Sequence, residues 1–226
     1  MERKFEKYSI KVTEKELDLF EKYASLMLLW NEKFNITTIT ENEEIYLKHF
    51  VDSLLCESIF SVDKCIIDIG SGGGLPAIPL KILRPDLNIT MVEATGKKCI
   101  FLNEWIYKLG LKDIKVINGR AEELAKTNLR ESFDYGTARA VARFNTLSEY
   151  VMPFVKVGGQ FISYKGRVEE ELNDGKRAIS ILGGNIKEIK SYQLGDALRE
   201  VVIVDKIKST PSIYPRGRGK ERSKPL

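Results

Sequence analysis

The chain has 226 residues, of which 43% are hydrophobic and 30% charged. This is the composition of a soluble globular protein with room for one sizeable α/β domain and an extension. It contains no run of roughly 18 apolar residues, so no membrane span is expected. The segment from Met1 to Lys11 is charged, so we expect no signal peptide. One histidine, His49, and three separated cysteines argue against a metal site and predict free thiols in a reducing cytoplasm.

Two helices are predicted before the first strand. Thr13-Glu-Lys-Glu16 has the spacing of a capping box, and apolar residues at helical intervals then predict a helix from about 14 to 31. Thr40-Glu-Asn-Glu43 repeats the signal and predicts a second helix from about 41 to 60. We therefore interpret residues 1–62 as a helical extension packed on the core.

Strands and helices then alternate between residues 63 and 208. The predicted strands cover 65–69, 88–92, 114–117, 135–138, 160–164, 186–193 and 201–207, and the predicted helices cover 75–83, 97–109, 121–125, 146–154 and 167–182. Such alternation is typical of a mostly parallel, Rossmann-like α/β sheet with right-handed crossovers. The last two strands have no clear helix between them, so we expect one of them to run antiparallel at the edge.

A glycine-dense loop follows the first strand. Gly70, Gly72 and Gly74 are spaced Gly-x-Gly-x-Gly, and Asp68 lies two residues before the first of them. A dinucleotide-binding loop would place its third glycine where Leu75 stands. S-adenosylmethionine has no phosphate but carries an ammonium and a sulfonium, which suit a loop with backbone carbonyls and a nearby carboxylate. The loop therefore favours S-adenosylmethionine, with a ligand-free tight turn as the alternative.

Two further acids follow the next two strands. Glu93 ends the second strand, where a carboxylate can accept the hydroxyls of a ribose, although NAD proteins use the same device. Glu122 follows the third strand, beside Ala121, where an acid can reach the edge of an adenine or interact with a helix dipole. The carboxyl ends of parallel strands share one edge, so we expect these residues to line a single ligand site.

The residues at the end of the fourth strand indicate which kind of atom could accept a methyl group. This strand end reads Thr137-Ala-Arg-Ala140. It lacks the Asn/Asp-Pro-Pro-aromatic motif that is usual for methylation of an exocyclic amine of a base. No cysteine is placed to attack the ring of a pyrimidine, as methylation at C5 requires. N7 of guanine has an available lone pair in the neutral base, so methyl transfer to it requires orientation and electrostatics but no general base. Arg139 is the candidate that positions the methionine carboxylate or the target base; a structural ion pair is the alternative.

Positive charge is concentrated in the tail. Between Lys206 and Leu226 seven basic residues stand against one acid, although the net charge of the chain is only +4. A segment of this composition is expected to build no core, so residues 209–226 are predicted to be either a disordered solubilising end or a basic arm for phosphate backbones. The candidates for RNA phosphate are Arg120, Lys165, Arg216 and Arg218.

Short motifs occur in a fixed order along nearly the whole chain. They are Trp30-Asn31, Asn35-Ile-Thr37, His49-Phe-Val-Asp-Ser-Leu54, Asp68 to Pro76, Lys97 with Phe101-Leu102, Arg120-Ala-Glu122, Thr137-Ala-Arg-Ala140, Lys165-Gly166 and Tyr214-Pro-Arg216. This ordered set resembles the bacterial small-subunit ribosomal RNA methyltransferase G family, also called glucose-inhibited division protein B.

The resemblance implies a class I S-adenosylmethionine-dependent methyltransferase that modifies N7 of a guanine in the 530 loop of 16S rRNA and releases S-adenosylhomocysteine. By position it places cofactor contacts on Gly70, Leu75, Ala121, Glu122 and Arg139. Arg199 matches an arginine of the family and is assigned to RNA or loop positioning. The implied partner is 16S rRNA or the 30S subunit, bound by a cytoplasmic monomer with no obligatory protein partner.

Three alternatives remain open at the level of sequence. The same fold serves methyltransferases that act on small molecules or proteins. A glycine loop with an acid on the next strand also occurs in NAD-binding reductases and regulatory modules. A non-catalytic RNA chaperone that binds a ligand is the third.

Overall fold

The computed structural model describes residues 2–139 and 141–226, so Met1 and Ala140, the last residue of the fourth-strand motif, lie outside the described residues. A helical layer precedes the sheet. It consists of α1 (Glu2–Glu6), α2 (Glu14–Phe34), α3 (Asn42–Ile45), a π-helix (Tyr46–Val51) and α4 (Asp52–Leu54). The predicted capping box is present at the start of α2, where the amide of Glu16 donates to Thr13 Oγ1 over 3.3 Å and the amide of Thr13 donates to Glu16 Oε2 over 2.7 Å.

The prediction of one regular helix from 41 to 60 was wrong. The π-helix separates two short α-helices, and a 3₁₀ turn, Glu57–Ile59, follows them. A π-helix contains an extra residue in its turn, which changes the direction of the side chains that follow it. Hydrophobic periodicity does not reveal that insertion, because the apolar residues stay close to helical spacing.

Seven strands and the remaining helices follow. They are β1 (Cys65–Ile69), α5 (Ala77–Leu83), β2 (Asn88–Glu93), α6 (Gly96–Lys108), β3 (Ile114–Asn118), α7 (Ala121–Leu124), β4 (Phe133–Arg139), α8 (Phe144–Val151), β5 (Val155–Lys165), α9 (Leu172–Ile181), β6 (Gly184–Leu194), β7 (Ala197–Lys206) and α10 (Lys220–Ser223). The strands lie in one sheet in the order β3-β2-β1-β4-β5-β7-β6. The predicted α/β class with a mostly parallel sheet is confirmed.

The position of the antiparallel strand differs from the prediction. β1 to β5 pair in parallel, whereas β7 runs antiparallel to both of its neighbours, β5 and β6. β7 is therefore inserted next to the edge, and β6 is the outer strand. As a result, the beginning of β7 lies at the same edge of the sheet as the ends of the parallel strands.

The two faces of the sheet support separate apolar clusters. Ile66 of β1 faces the cluster built by the N-terminal helices, α5 and α6, whereas Ile67 faces the cluster built by α7, α8 and α9. This alternation is the period-2 pattern of a strand buried on both faces. In the first cluster the ring of Tyr23 stacks on Phe50 at 5.0 Å and meets Trp105 edge-on at 5.5 Å, so α2, the π-helix and α6 share one aromatic core.

Two features are absent from the described residues. None of the helices formed by residues 2–139 and 141–226 has the length and apolar character needed to cross a membrane. Within the same residues, no group of three or more His, Cys, Asp or Glu side chains is arranged to hold a metal ion.

Candidate functional site

A cavity of about 480 Å³ opens at the carboxyl edge of the sheet. Its volume lies in the range of small-molecule sites in proteins. It is lined by the loops that follow β1, β2, β3 and β4 together with residues of the N-terminal helical layer. The predicted cofactor residues on its wall are Gly70, Gly72, Leu75, Glu93, Ala121, Glu122 and Arg139. The loops that were predicted to converge therefore border one cavity, and its use as a ligand site stays a prediction.

The glycine loop forms the floor of this cavity. The amide of Gly70 donates to Val92 O over 2.8 Å, which fixes the start of the loop on the end of β2. Gly74 has φ +80°, and a Cβ there would lie 2.5 Å from Ile78 Cδ1. Only glycine takes this conformation without strain and without displacing Ile78. Gly74 itself is buried behind the cavity wall, so its role is to shape the loop.

Asp68 lies directly behind the loop and not on the cavity wall. Its Oδ1 accepts a hydrogen bond from Thr137 Oγ1 over 2.9 Å, as their adjacent positions in β1 and β4 require. Its Oδ2 is buried without a hydrogen-bond partner in the part of the chain that the structure describes. Burial raises the pKa of Asp68 to about 7, although hydrogen bonds from Ser71 and Thr137 oppose this shift. An unpaired buried carboxylate oxygen is costly, so this atom suits a donor or cation supplied by a ligand.

Glu93 connects the end of β2 to the glycine loop. Its Oε2 accepts from the amide of Gly72 over 3.1 Å, and its Oε1 accepts from the amide of Thr95 over 2.8 Å. A carboxylate oxygen can accept more than one hydrogen bond, so both oxygens retain capacity for hydroxyl groups of a ligand. Glu93 therefore has two functions available to it, since it orders the loop and faces the cavity.

Arg139 is held by residues of the helical layer. Its Nη1 lies 2.6 Å from Asp52 Oδ2 and its Nη2 lies 3.0 Å from His49 Nδ1. Arg199 reaches the other oxygen of the same carboxylate, with Nε 3.2 Å from Asp52 Oδ1. The structure thus shows the ion pair that was the alternative for Arg139, and it also places Arg139 on the cavity wall.

His49 is neutral in this arrangement. Burial, together with the nearby charge of Arg139, lowers the pKa of His49 to about 4. Because a guanidinium only donates, His49 Nδ1 accepts from Arg139 and Nε2 carries the proton toward Thr37 Oγ1, 2.9 Å away. The histidine therefore orients the arginine and has no free basic nitrogen.

The helical layer contributes four cavity residues that were not predicted as site residues. They are Met27, Ile36, Thr37 and His49. The motif Asn35-Ile-Thr37 contains two of them, but nothing in its composition indicates a ligand. The amide of Thr37 donates to Asn31 Oδ1 over 2.8 Å, which fixes this segment on the end of α2.

A family model described as rRNA small subunit methyltransferase G (GidB) matches residues 16–201. The chain belongs to this family. Curated relatives named ribosomal RNA small subunit methyltransferase G include one from Clostridium perfringens (strain 13 / Type A), which is 45% identical over all of this chain and 97% of its own length. Another, from Staphylococcus aureus (strain bovine RF122 / ET3-1), is 44% identical over 97% of this chain and 94% of its own length.

Solved structures of lower identity share the fold of this methyltransferase G family member. A SAM-dependent methyltransferase from Aquifex aeolicus superposes with a TM-score of 0.56 at 16% identity, covering 75% of this chain and 96% of that one. A ribosomal protein L11 methylase from Lactobacillus delbrueckii subsp. bulgaricus has a TM-score of 0.56 at 16% identity, covering 71% of this chain and 79% of that one. They support the predicted Rossmann-like methyltransferase fold.

The basic candidates of this family member differ in their availability. Arg120 and Arg218 are exposed. Lys165 Nζ lies 2.8 Å from Glu171 Oε2 and 2.9 Å from Ala142 O, so its charge is already paired. Arg199 is bound to Asp52, as described above. Arg120 also lies on the cavity wall, which makes it the basic candidate nearest to the ligand site.

The prediction that the tail is solvated and builds no core was wrong. Arg216 forms a two-pronged ion pair with Glu149, with Nε 2.9 Å from Oε1 and Nη2 2.6 Å from Oε2. Thr146 Oγ1 donates to Glu221 O over 2.9 Å, and the carboxylate of Glu221 accepts from the amide of Gly217. Two buried acids, Glu149 in α8 and Glu221 in the tail, therefore bind the basic segment to the fold, which composition alone does not show.

Proposed function

We propose that this protein transfers a methyl group from S-adenosylmethionine to N7 of a guanine in the 530 loop of 16S rRNA. The observation that carries the proposal is the cavity at the carboxyl edge of the sheet, where the glycine loop and the carboxylate of Glu93 meet. Membership of the methyltransferase G family, over nearly the whole chain, supports the choice of ribosomal RNA as acceptor.

The residues on the cavity wall fit this cofactor. The backbone of Gly70 and Gly72 allows close approach, Glu93 offers acceptors for ribose hydroxyls, and Ala121 with Glu122 faces the place of an adenine. Asp68 lies behind the loop and is not on the cavity wall, so in this proposal its negative charge favours the ammonium from behind the loop. When bound, S-adenosylmethionine supplies a methyl group on a positively charged sulfur.

The protein's own task is then to orient the acceptor. Arg139 is held in position by Asp52 and His49, so its remaining guanidinium surface is available for the methionine carboxylate or the purine at little entropic cost. His49 is neutral and already accepts a hydrogen bond, so it offers no general base. Guanine N7 needs none, because its lone pair is available in the neutral base.

The acceptor is 16S rRNA, free or within the 30S subunit, and the enzyme acts on it as a monomer in the cytoplasm. Residues 1–62 act as part of the active domain, since Met27, Thr37 and His49 contribute to the cavity wall. In this proposal residues 63–208 bind the cofactor, and residues 209–226 form the basic tail beside it.

A methyl-transfer assay tests the function. The protein is incubated with methyl-labelled S-adenosylmethionine and either deproteinised 16S rRNA or 30S subunits, and the modified nucleotide is mapped. Label at N7 of one guanine is expected. Label in proteins or small molecules, with none in RNA, would favour the alternative acceptors. Calorimetry with NADH and with S-adenosylmethionine distinguishes the methyltransferase from the dinucleotide-binding alternative, because that alternative requires tight NADH binding.

Glu93→Gln removes the charge of the proposed ribose ligand and keeps one oxygen, which can accept from the amide of Gly72 while the contact with the amide of Thr95 is lost. Its Kd for S-adenosylmethionine is expected to rise about tenfold, the loss of one charge-assisted hydrogen bond of roughly 1.4 kcal/mol. Glu123→Gln, one residue beyond Glu122 and exposed, is the matched control and is expected to bind normally.

A further inference from the structure

A second cavity of about 500 Å³ lies beside the first, between α7 and the tail. Its wall carries five basic side chains and two acidic ones. It is lined by Arg120, Glu122, Glu123, Lys126, Tyr150, Arg216, Gly217, Arg218, Gly219 and Arg222. Lys126 and Arg222 were not among the sequence candidates for binding RNA.

Most of the positive charge in this cavity is unpaired. Arg216 is neutralised by Glu149. By contrast, Arg120, Lys126, Arg218 and Arg222 form no ion pair with any residue in 2–139 or 141–226, even though Glu122 and Glu123 share the wall with them. With Arg216 paired to Glu149, these four cations face only two carboxylates, so the cavity keeps an excess of positive charge that a bound anion would offset.

The folded tail brings its own cations close to Lys126. The Arg216–Glu149 ion pair immediately precedes Gly217, and Lys126 Nζ lies 3.4 Å from the position that a Cβ on Gly217 would occupy. Gly217, Arg218 and Gly219 all have positive φ, between 57° and 76°, so the tail turns sharply around the ammonium of Lys126. A side chain at Gly217 would enter the space between that ammonium and the tail.

The two cavities share part of their walls. Arg120, Glu122, Tyr150 and Arg222 line both of them. A nucleic acid chain that places a base in the first cavity therefore passes next to the second. The spacing suits a phosphate close in the chain to the target nucleotide, since the same side chains contact both spaces.

We propose that this second cavity binds a backbone phosphate of the substrate RNA, through Lys126, Arg218, Arg120 and Arg222; the assignment of RNA as the source of the phosphate rests on the proposed function. Arg216 is a positioning residue, because it holds the tail and its charge is used by Glu149. The sequence-based view of the tail as a flexible basic arm is thereby replaced by a built anion site in which the tail forms one wall.

The test compares two double variants of the full chain. Lys126→Ala with Arg218→Ala removes two cations from the cavity. Lys112→Ala with Lys115→Ala removes two exposed cations at the amino end of β3, the opposite edge of the sheet, and is the control. Binding of a 16S rRNA fragment is measured by fluorescence anisotropy at several salt concentrations, S-adenosylmethionine binding by calorimetry, and inorganic phosphate binding by broadening of its ³¹P signal.

The cavity variant is expected to bind the RNA about tenfold more weakly than the control. The slope of log K against log salt should fall by about 0.7 to 0.9, the value for one phosphate contact. S-adenosylmethionine affinity should match that of the control. Equal RNA affinity and equal salt slope in the two double variants would overturn the proposal.

Two other outcomes separate this proposal from the proposed function. If the protein binds inorganic phosphate through Lys126 and Arg218 but does not bind the RNA fragment, the anion site stands while RNA as its source and the methyltransferase function on RNA fall. If the wild type methylates rRNA and neither RNA nor phosphate binding changes in the cavity variant, the function stands and the phosphate site falls.

Discussion

Arg139 Nη1 lies 2.6 Å from Asp52 Oδ2, which connects the end of β4 to the helical layer beside the candidate cavity. The same carboxylate accepts from Arg199 of β7. Asp52 is buried and lies between the guanidinium groups of Arg139 and Arg199. The orientation of Arg139 therefore depends on a residue far away in the sequence.

Asp52→Ala is expected to lower kcat by about 10- to 100-fold, since the loss of a positioning contact misplaces Arg139. Because both arginines are only partly exposed, the free energy of unfolding should also fall, by about 2 kcal/mol. The Kd for S-adenosylmethionine should change less than kcat. Steady-state kinetics, calorimetry and urea unfolding provide the three measurements.

Asp86→Ala is the matched control for that variant. Asp86 forms a comparable pair with Arg84, Oδ2 to Nη2 2.7 Å, but lies just before β2, at the opposite edge of the sheet. It should cost stability and leave kcat unchanged. A drop in kcat as large as that of Asp52→Ala would contradict the positioning role of Asp52.

Gly74→Ala is expected to lower the free energy of unfolding by about 3 kcal/mol, combining the cost of a side chain at positive φ with the displacement of Ile78. Gly110→Ala separates the conformational cost of positive φ from the cost of displacing a neighbouring side chain. Gly110 has φ +64° with nothing within 4 Å of its added Cβ, so only the conformational cost of about 1 kcal/mol remains. Urea unfolding of both variants measures the difference, and equal losses would show that the contact with Ile78 is easily relieved.

Asp68 predicts a specific pH dependence of stability. Its pKa is raised to about 7 in the folded protein, above the ordinary value of 3.8, so the folded state holds a proton that the unfolded state has lost between those two values. Its contribution to stability is therefore full below about pH 4 and is lost as the pH rises through 7. The free energy of unfolding is measured against pH for the wild type and for Asp68→Asn, and the difference between the two curves should isolate this decline.

The same group predicts the pH dependence of cofactor binding. If the ammonium of S-adenosylmethionine binds the ionised carboxylate, affinity should rise about tenfold between pH 6 and pH 8, with proton release on binding near pH 6. Calorimetry in buffers of different ionisation enthalpy measures the released proton. His49, with a pKa of about 4, does not contribute in this range. A pH-dependence that persists in Asp68→Asn would assign it to another group.

Arg216→Ala is expected to destabilise the fold by about 3 kcal/mol, because it leaves the buried carboxylate of Glu149 without its counter-ion. The double variant Arg216→Ala with Glu149→Gln should recover part of that loss, since it removes the buried charge. Urea unfolding gives both values, and limited proteolysis reports whether residues 217–226 detach. An intact, protected tail in Arg216→Ala would show that Thr146 and Glu221 hold it without the ion pair.

Local signals in the sequence were sufficient for most of the sheet. β1 was predicted with its bounds intact, because Ile66, Ile67 and Ile69 are apolar and a glycine loop ends the strand. The π-helix was missed since its apolar spacing matches an α-helix. The partners of Arg139, Asp52 and His49, were missed because they come from distant elements, and only the fold brings Arg139 and Arg199 to the same carboxylate. The docking of the tail depends on Glu149, whose burial is decided by the packing of α8.

The place of β7 between β5 and β6 affects the order in which the molecule can be completed during synthesis. β6 leaves the ribosome first, yet it has no sheet neighbour other than β7, which is made after it. Arg199 can reach Asp52 only after β7 has paired between β5 and β6. A nascent chain that ends before residue 197 therefore has the glycine loop, but the edge of β5 is open and Asp52 has only one of its two arginine partners.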